Sequence, residues 1–133
     1  MKFPITRESL QSWDYNKDQD ELRDEAFHKE VHTQLKQALD RIYPDFQQQM
    51  HTNSYQTKKF VCQLSQYIQN IRQQPIQAEK FVNGILHTID INKYRNKYIN
   101  EFIDKLTDKL KENFIGCDII IDPLKTYIII DWS

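Results

Sequence analysis

Residues 116–133 read GCDIIIDPLKTYIIIDWS, and the reading of this stretch decides the fold. Two isoleucine runs, 119–121 and 128–130, flank Asp122, Pro123, Leu124 and Lys125. β-Branched side chains fit a pleated surface and a polar tetrad with proline makes a turn, so 117–122 and 126–132 are predicted as the two strands of an antiparallel hairpin. A hairpin with one wet face alternates apolar and polar residues. This one offers isoleucine on both sides. Ile119 and Ile121 point one way and Ile120 the other, and Ile128 and Ile130 oppose Ile129 in the same manner. Burying one isoleucine is worth about 1.5–3 kcal/mol, and a two-stranded hairpin alone is barely stable. Helices are expected to cover one face. For the other, the cover is either more of the same chain (Phe3, Ile5 and Trp13 of a lead-in segment, or wrapping helices) or a second chain. The second-chain option makes Ile120, Ile129, Tyr127 and Trp132 the candidate interface, with Trp132 as its aromatic anchor.

Upstream of the hairpin, helical spacing dominates. Residues 1–17 form the lead-in, in which Thr6 caps a short helical stretch, and Phe3, Ile5, Leu10 and Trp13 are expected to anchor it to the body. A long helix is predicted over 18–43, with Asp18 and Glu21 at capping-box spacing and Leu22, Phe27, Val31, Leu35, Ala38, Leu39 and Ile42 as its buried stripe. Pro44 is expected to stop it. A second helix is predicted over 55–72, carrying Phe60, Val61, Leu64, Tyr67, Ile68 and Ile71 inward. A third is predicted over 75–87, with Pro75 first, Ala78, Phe81, Val82, Ile85, Leu86 and Ile89 inward, and Gly84 as a weak spot or a close crossing. The fourth spans 93–114, capped by Asp90 or Asn92, with Gly116 closing it in a left-handed conformation. The expected architecture is therefore α+β: about four helices packed on a C-terminal two-stranded antiparallel β-hairpin, within one domain covering 1–133.

Composition narrows the function classes. A chain of 133 residues is long enough for one core without staples. Only two glycines occur, which disfavours loop-rich folds and phosphate-cradling loops. There is no P-loop, GxGxxG, GxSxG or paired CxxC. Seven basic residues face ten acidic ones before Gln47, and eleven face nine from there on, which is too mild an asymmetry to argue for a nucleic-acid partner by charge alone. No apolar run reaches membrane-spanning length and the first residues lack a signal-peptide core, so the expectation is a soluble intracellular protein, cytoplasmic or carried in a virion. Cys62 and Cys117 each lie in an apolar run, as buried reduced thiols do. A bridge between them is left open.

Three clusters of residues offer chemistry. His28 and His32 lie one helical turn apart, but not in the HExxH order and without a third ligand nearby, so they read as surface histidines. Asp118, Asp122 and Asp131 at the strand ends can hold a divalent cation, and the arrangement resembles nucleases of the PD-(D/E)xK type. It departs from them in lacking (D/E)xK on the second strand, where Trp132 and Ser133 follow Asp131. In KYRNKY, residues 93–98, Lys93, Arg95 and Lys97 interleave with Tyr94 and Tyr98, a pattern that serves phosphates and bases together. On a helix, however, both tyrosines join the inward stripe.

The stretches FPITRESLQSWDY and DPLKTYIIIDWS resemble the ends of short uncharacterised proteins encoded by nucleocytoplasmic large DNA viruses. The resemblance implies a viral origin and a virion-associated or infected-cell role, and it carries no catalytic residues. The leading expectation is a non-enzymatic interaction or assembly protein that uses the hairpin to join a copy of itself or another protein, with no cofactor. The alternatives are a nucleic-acid-binding accessory protein working through 93–111, and a divalent-metal, nuclease-like enzyme at the hairpin carboxylates.

Overall fold

The computed structural model describes residues 3–52, 58–76 and 79–133, with the side chains of residues 16 and 80–82 set aside. The elements follow in the order α1 (Arg7–Gln11), α2 (Tyr15–Thr52), β1 (Lys59–Gln63), α3 (Ser65–Arg72), β2 (Glu79–Val82), β3 (Ile85–Thr88), α4 (Ile91–Asn113), β4 (Asp118–Ile121) and β5 (Tyr127–Asp131). The α+β class holds: helices dominate, and a small antiparallel sheet packs against them.

The sheet departs from the expected two-stranded hairpin. It has three strands in the order β1-β5-β4, all antiparallel, so β5 is the central strand. The hairpin β4–β5 forms as predicted, with Ile119 opposite Ile130 and Ile121 opposite Ile128. On its other side β5 takes β1, which pairs Phe60 with Ile130 and Cys62 with Ile128. Residues 59–63 were expected to be helical. They are a strand because Phe60, Cys62 and Leu64 alternate inward at period two, and the free edge of β5 satisfies their backbone groups. The helical part of that prediction survives only in α3, where Tyr67, Ile68 and Ile71 are buried. Residues 55–57 lie outside the described residues.

The expected third helix is instead a second hairpin. β2 and β3 pair antiparallel through Asn83 and Gly84, both at positive φ (52° and 76°). Positive φ at both central residues, with Asn-Gly filling them, is the type I′ connection whose twist matches that of the strands. On β3, Ile85 and Leu86 are 63% and 51% exposed. Ala78 lies outside the described residues.

α2 runs through Pro44 rather than ending before it. The stripe continues past the proline: Ile42 is buried, and Tyr43 and Phe46 pack against the core. Phe46 sets its ring edge-on to Phe60, Phe114 and Trp132 at centroid distances of 5.5, 4.9 and 5.8 Å. Interior proline costs a helix about 3 kcal/mol, and an aromatic cluster of this kind offsets it. The helix also starts earlier than Asp18, at Tyr15. α1 is capped as expected, Ser9 N–H donating to Thr6 Oγ1 at 3.1 Å. The lead-in does not clamp the body through its large side chains, since Phe3, Leu10 and Trp13 stay exposed. At the start of α4, Asp90 takes the cap role by accepting the Lys93 N–H at 3.1 Å.

The core lies between the helices and the inner sheet face. Phe27, Val31, Leu35, Ala38 and Ile42 of α2 and Tyr98, Phe102, Ile103, Leu106 and Leu110 of α4 join Phe60, Cys62, Ile128 and Ile130 in one cluster. Among the described residues no helix is long and apolar enough to cross a membrane.

Candidate functional site

The outer face of the sheet is built by the side chains that the pleat turns away from the helices. Across β1, β5 and β4 they form three rows. The first is Lys59, Asp131, Asp118; the second is Val61, Ile129, Ile120; the third is Gln63 and Tyr127. The middle row is wholly β-branched. Val61 and Ile120 are 48% and 46% exposed and Ile129 is half-buried, whereas Ile128 and Ile130 on the inner face are fully covered. The first row is charged. Lys59 Nζ lies 3.9 Å from Asp131 Oδ2, and Ser133 N–H donates to Asp131 Oδ1 at 2.9 Å. The hydrogen bonds from Ser133, with help from the Lys59 charge, hold the Asp131 carboxyl below its ordinary range.

Three of the four predicted interface residues share this face: Ile120, Ile129 and Tyr127. The fourth does not. Trp132 is at an even position of the pleat, turns inward, and packs half-buried against Phe46. Val61 and Lys59 complete the face and were not foreseen, because they were read as helical. The alternation in KFVCQL was the available signal.

Among the described residues no further strand pairs with β1 or β4. Leu64 N–H bonds Thr126 O at 2.9 Å and Trp132 N–H bonds Lys58 O at 3.0 Å, so the even residues of β1 bond to β5. The N–H and C=O groups of Lys59, Val61 and Gln63 therefore point outward along the β1 edge. Asp122 N–H bonds Tyr127 O at 3.1 Å, and by the same alternation Ile119 and Ile121 point their backbone groups outward along β4.

In the basic-aromatic segment of α4 the lysines and the tyrosines differ in exposure. Lys93 and Lys97 are exposed and Arg95 is half-buried, with its Nε enclosed and lacking a hydrogen-bond partner among the described residues. Tyr94 and Tyr98 face inward and both donate their hydroxyls to Asp24 Oδ1 of α2, Tyr94 at 2.6 Å. Neither ring is free to stack on a base. Farther along, Glu101 takes Lys105 at 2.9 Å and His28 Nδ1 at 3.1 Å, and Glu112 takes Lys109 at 3.6 Å. Lys105 and Lys109 are thus answered by the chain's own acids.

The Asp24 cluster ties α2 to α4. Burial pushes its carboxyl up, but the two tyrosine hydroxyls and the charges of Lys97 and His28 outweigh burial and hold it below the ordinary range. Burial, reinforced by the bond to Asp24, pushes Tyr94 up to about 12, and Tyr98 rises for the same reasons. A carboxyl whose folded value is depressed adds stability above its unfolded value, about 3.9. That contribution is lost as pH falls from there through the depressed value. Asp24→Asn is therefore expected to flatten the fall in melting temperature below about pH 4, as read by thermal melts along an acid series. An unchanged acid limb counts against this linkage.

The hairpin carboxylates do not gather. Asp118 faces Asp131 across the strands, while Asp122 accepts Thr126 Oγ1 at 2.5 Å in the turn. Among the described residues no group of three His, Cys, Asp or Glu is placed to hold a metal ion. His28 is edge-on to Tyr98 with its Nδ1 3.1 Å from Glu101 Oε1, and His32 is exposed. Cys62 and Cys117 are free thiols, and burial drives Cys62 up to about 12, far from a reactive thiolate. A shallow cleft of about 360 Å³ follows β1 on the side of Arg41, Asp45 and Tyr67. Another, of about 380 Å³, lies between α3, α4 and the β4–β5 turn beside Arg72 and Lys125. Cys62 and Asp45 both line the first of these, where burial keeps the thiol protonated. No known protein family, curated protein or solved structure matches this chain, so its functional reading rests on geometry.

Proposed function

We propose that this chain is a non-enzymatic assembly protein that binds a second copy of itself through the outer face of its three-stranded sheet. The observation that carries the reading is the row Val61–Ile129–Ile120, an unbroken β-branched stripe left half-open in the middle of a sheet whose other face is dry. Soluble surfaces place such rows where another surface meets them. The resemblance of both chain ends to proteins of large DNA viruses supports a virion-associated place for the assembly.

The patch is small. Strands about 4.8 Å apart and residues about 3.4 Å apart give a three-by-five array only about 10 Å by 14 Å between its outermost Cα atoms. That is less than the roughly 800 Å² per partner of a tight complex, so association is weak and concentration-dependent. Light scattering and sedimentation equilibrium from about 10 to about 300 µM, the range a weak contact requires, are expected to show a rising mass. Ile120→Asp is expected to weaken association by at least about tenfold, because it sets a charge against the partner's β-branched row. It leaves the melting temperature nearly unchanged, since Ile120 is already half in water. A chain that stays monomeric across that range rules the reading out.

A further inference from the structure

The outer face is electrically lopsided, and the strand register defines how. Its first row places a cation at the β1 edge and an anion at the β4 edge: Lys59, then Asp131, then Asp118. Asp131 is engaged by Lys59 and by the Ser133 N–H. Asp118 is exposed and has no cation within ion-pair reach among the described residues. The third row is Gln63 and Tyr127, with Asp122 opposite Tyr127 just past β4.

Two copies stacked face to face about a two-fold axis have two simple arrangements. With the axis across the strands, the rows exchange. Lys59 then meets Gln63 and Asp131 meets Tyr127. Asp118 meets Asp122, like charge on like, and symmetry repeats the clash. With the axis along β5, left and right exchange and every row lies over itself. β1 of each copy then covers β4 of the other. Lys59 faces Asp118 of the second copy, twice by symmetry, Val61 faces Ile120, and Ile129 meets Ile129 on the axis. The one like-charge meeting is Asp131 on Asp131, where each carboxylate accepts the Ser133 N–H and lies beside the Lys59 it shares with Asp118 of the second copy. Stacked sheets sit about 10 Å apart, a gap that a lysine and an aspartate side chain span together.

We infer that the chain forms a two-fold dimer by face-to-face stacking of its three-stranded sheets about an axis along β5, closed by reciprocal Lys59–Asp118 ion pairs over a core of Val61, Ile120 and Ile129. This rests on the self-association proposed above and adds its partner geometry. The charged row gives the stack its orientation, and the apolar row gives it contact.

The test is a charge-reversal cycle on the full chain, with the dimer dissociation constant read by sedimentation equilibrium and the melting temperature read in parallel. Lys59→Glu and Asp118→Lys are each expected to weaken the dimer about tenfold or more, because each creates two like-charge meetings across the axis. The double variant restores both pairs with sign reversed and is expected within about threefold of the wild type. Raising salt from about 0.05 M to about 0.5 M weakens the wild-type dimer and narrows the differences between variants. Lys59 also pairs with Asp131 in its own chain, so a role confined to one chain moves the melting temperature and leaves the dissociation constant alone. That result overturns the geometry. So does a double variant no better than the singles, or a dimer indifferent to all three, which places the contact at the strand edges while self-association stands. A wild type monomeric at every concentration overturns the parent reading as well.

Discussion

Ile130→Ala is expected to cost about 3–4 kcal/mol of folding stability, whereas Ile120→Ala is expected to cost less than about 1 kcal/mol. Both residues are isoleucines of the same hairpin, and the difference is the face. Ile130 is fully buried on the central strand, between Phe60 of β1 and Ile119 of β4. Truncating it leaves a cavity under three strands at once, in a place where the helices above cannot settle without moving α2 and α4. Ile120 lies on the outer face at 46% exposure, so removing its methyl groups changes mostly water contacts. Domains of this size have about 5–15 kcal/mol to lose, so Ile130→Ala removes a large fraction and Ile130→Asp leaves no folded state. Urea unfolding of the three variants checks this. Equal midpoints for Ile120→Ala and Ile130→Ala are incompatible with the sheet's assigned faces.

The second large effect is a gain. Pro44→Ala is expected to stabilise the chain by about 1–2 kcal/mol. Pro44 is inside α2, where it has no N–H to give the Asp40 carbonyl and its ring crowds the preceding turn, a cost of about 3 kcal/mol. Its side chain is exposed, so alanine forfeits no buried contact. About 1 kcal/mol is returned because alanine frees the unfolded chain. The helix is held across the defect by Phe46 in its aromatic cluster and by the Arg41–Asp45 pair at 3.5 Å, and both are expected to persist in the variant. The change appears as a higher urea midpoint with an unaltered slope. An unchanged or lower midpoint shows instead that Phe46 reaches Phe60 and Phe114 only because the proline bends the helix.

What was legible in the sequence was local. The α4 stripe of Tyr98, Phe102, Leu106 and Leu110 repeats at helical spacing over several turns, and Asp90 stands where a cap belongs, so both were readable. The β4–β5 hairpin was readable for the same reason: its two isoleucine runs and its turn are contiguous. β1 was not, because KFVCQ becomes a strand only when β5 lies beside it, and β5 is more than sixty residues away. Its apolar residues also fit a helical stripe when joined to Leu64, Tyr67 and Ile68. In 79–88 the apolar positions 81, 82, 85 and 86 satisfy helix and hairpin equally, and only Asn83-Gly84 separates them. That dipeptide favours the hairpin, and Gly84 is the second residue of its turn rather than a flaw in a helix. Pro44 misled in the opposite direction, since a local rule yielded to the packing of Phe46. For the candidate site, the isoleucines on the exposed face were identifiable by parity. The charged row was not, because it needs Lys59 from a strand hidden in the sequence, and Trp132 falls on the inner side by the same parity.

The place of β5 between β1 and β4 also bears on how the chain reaches its native state. β4 and β5 are joined by a short turn and can zip together within microseconds, but β1 must be brought back across the whole of α3, β2, β3 and α4 before it finds its neighbour. Closing that long span costs entropy before any contact repays it, so docking of β1 is expected to be the slow step. On the ribosome, β1 emerges well ahead of its mate, and Phe60, Val61 and Cys62 stay adhesive throughout that interval. A chaperone that shields this segment during synthesis acts at the point of greatest need.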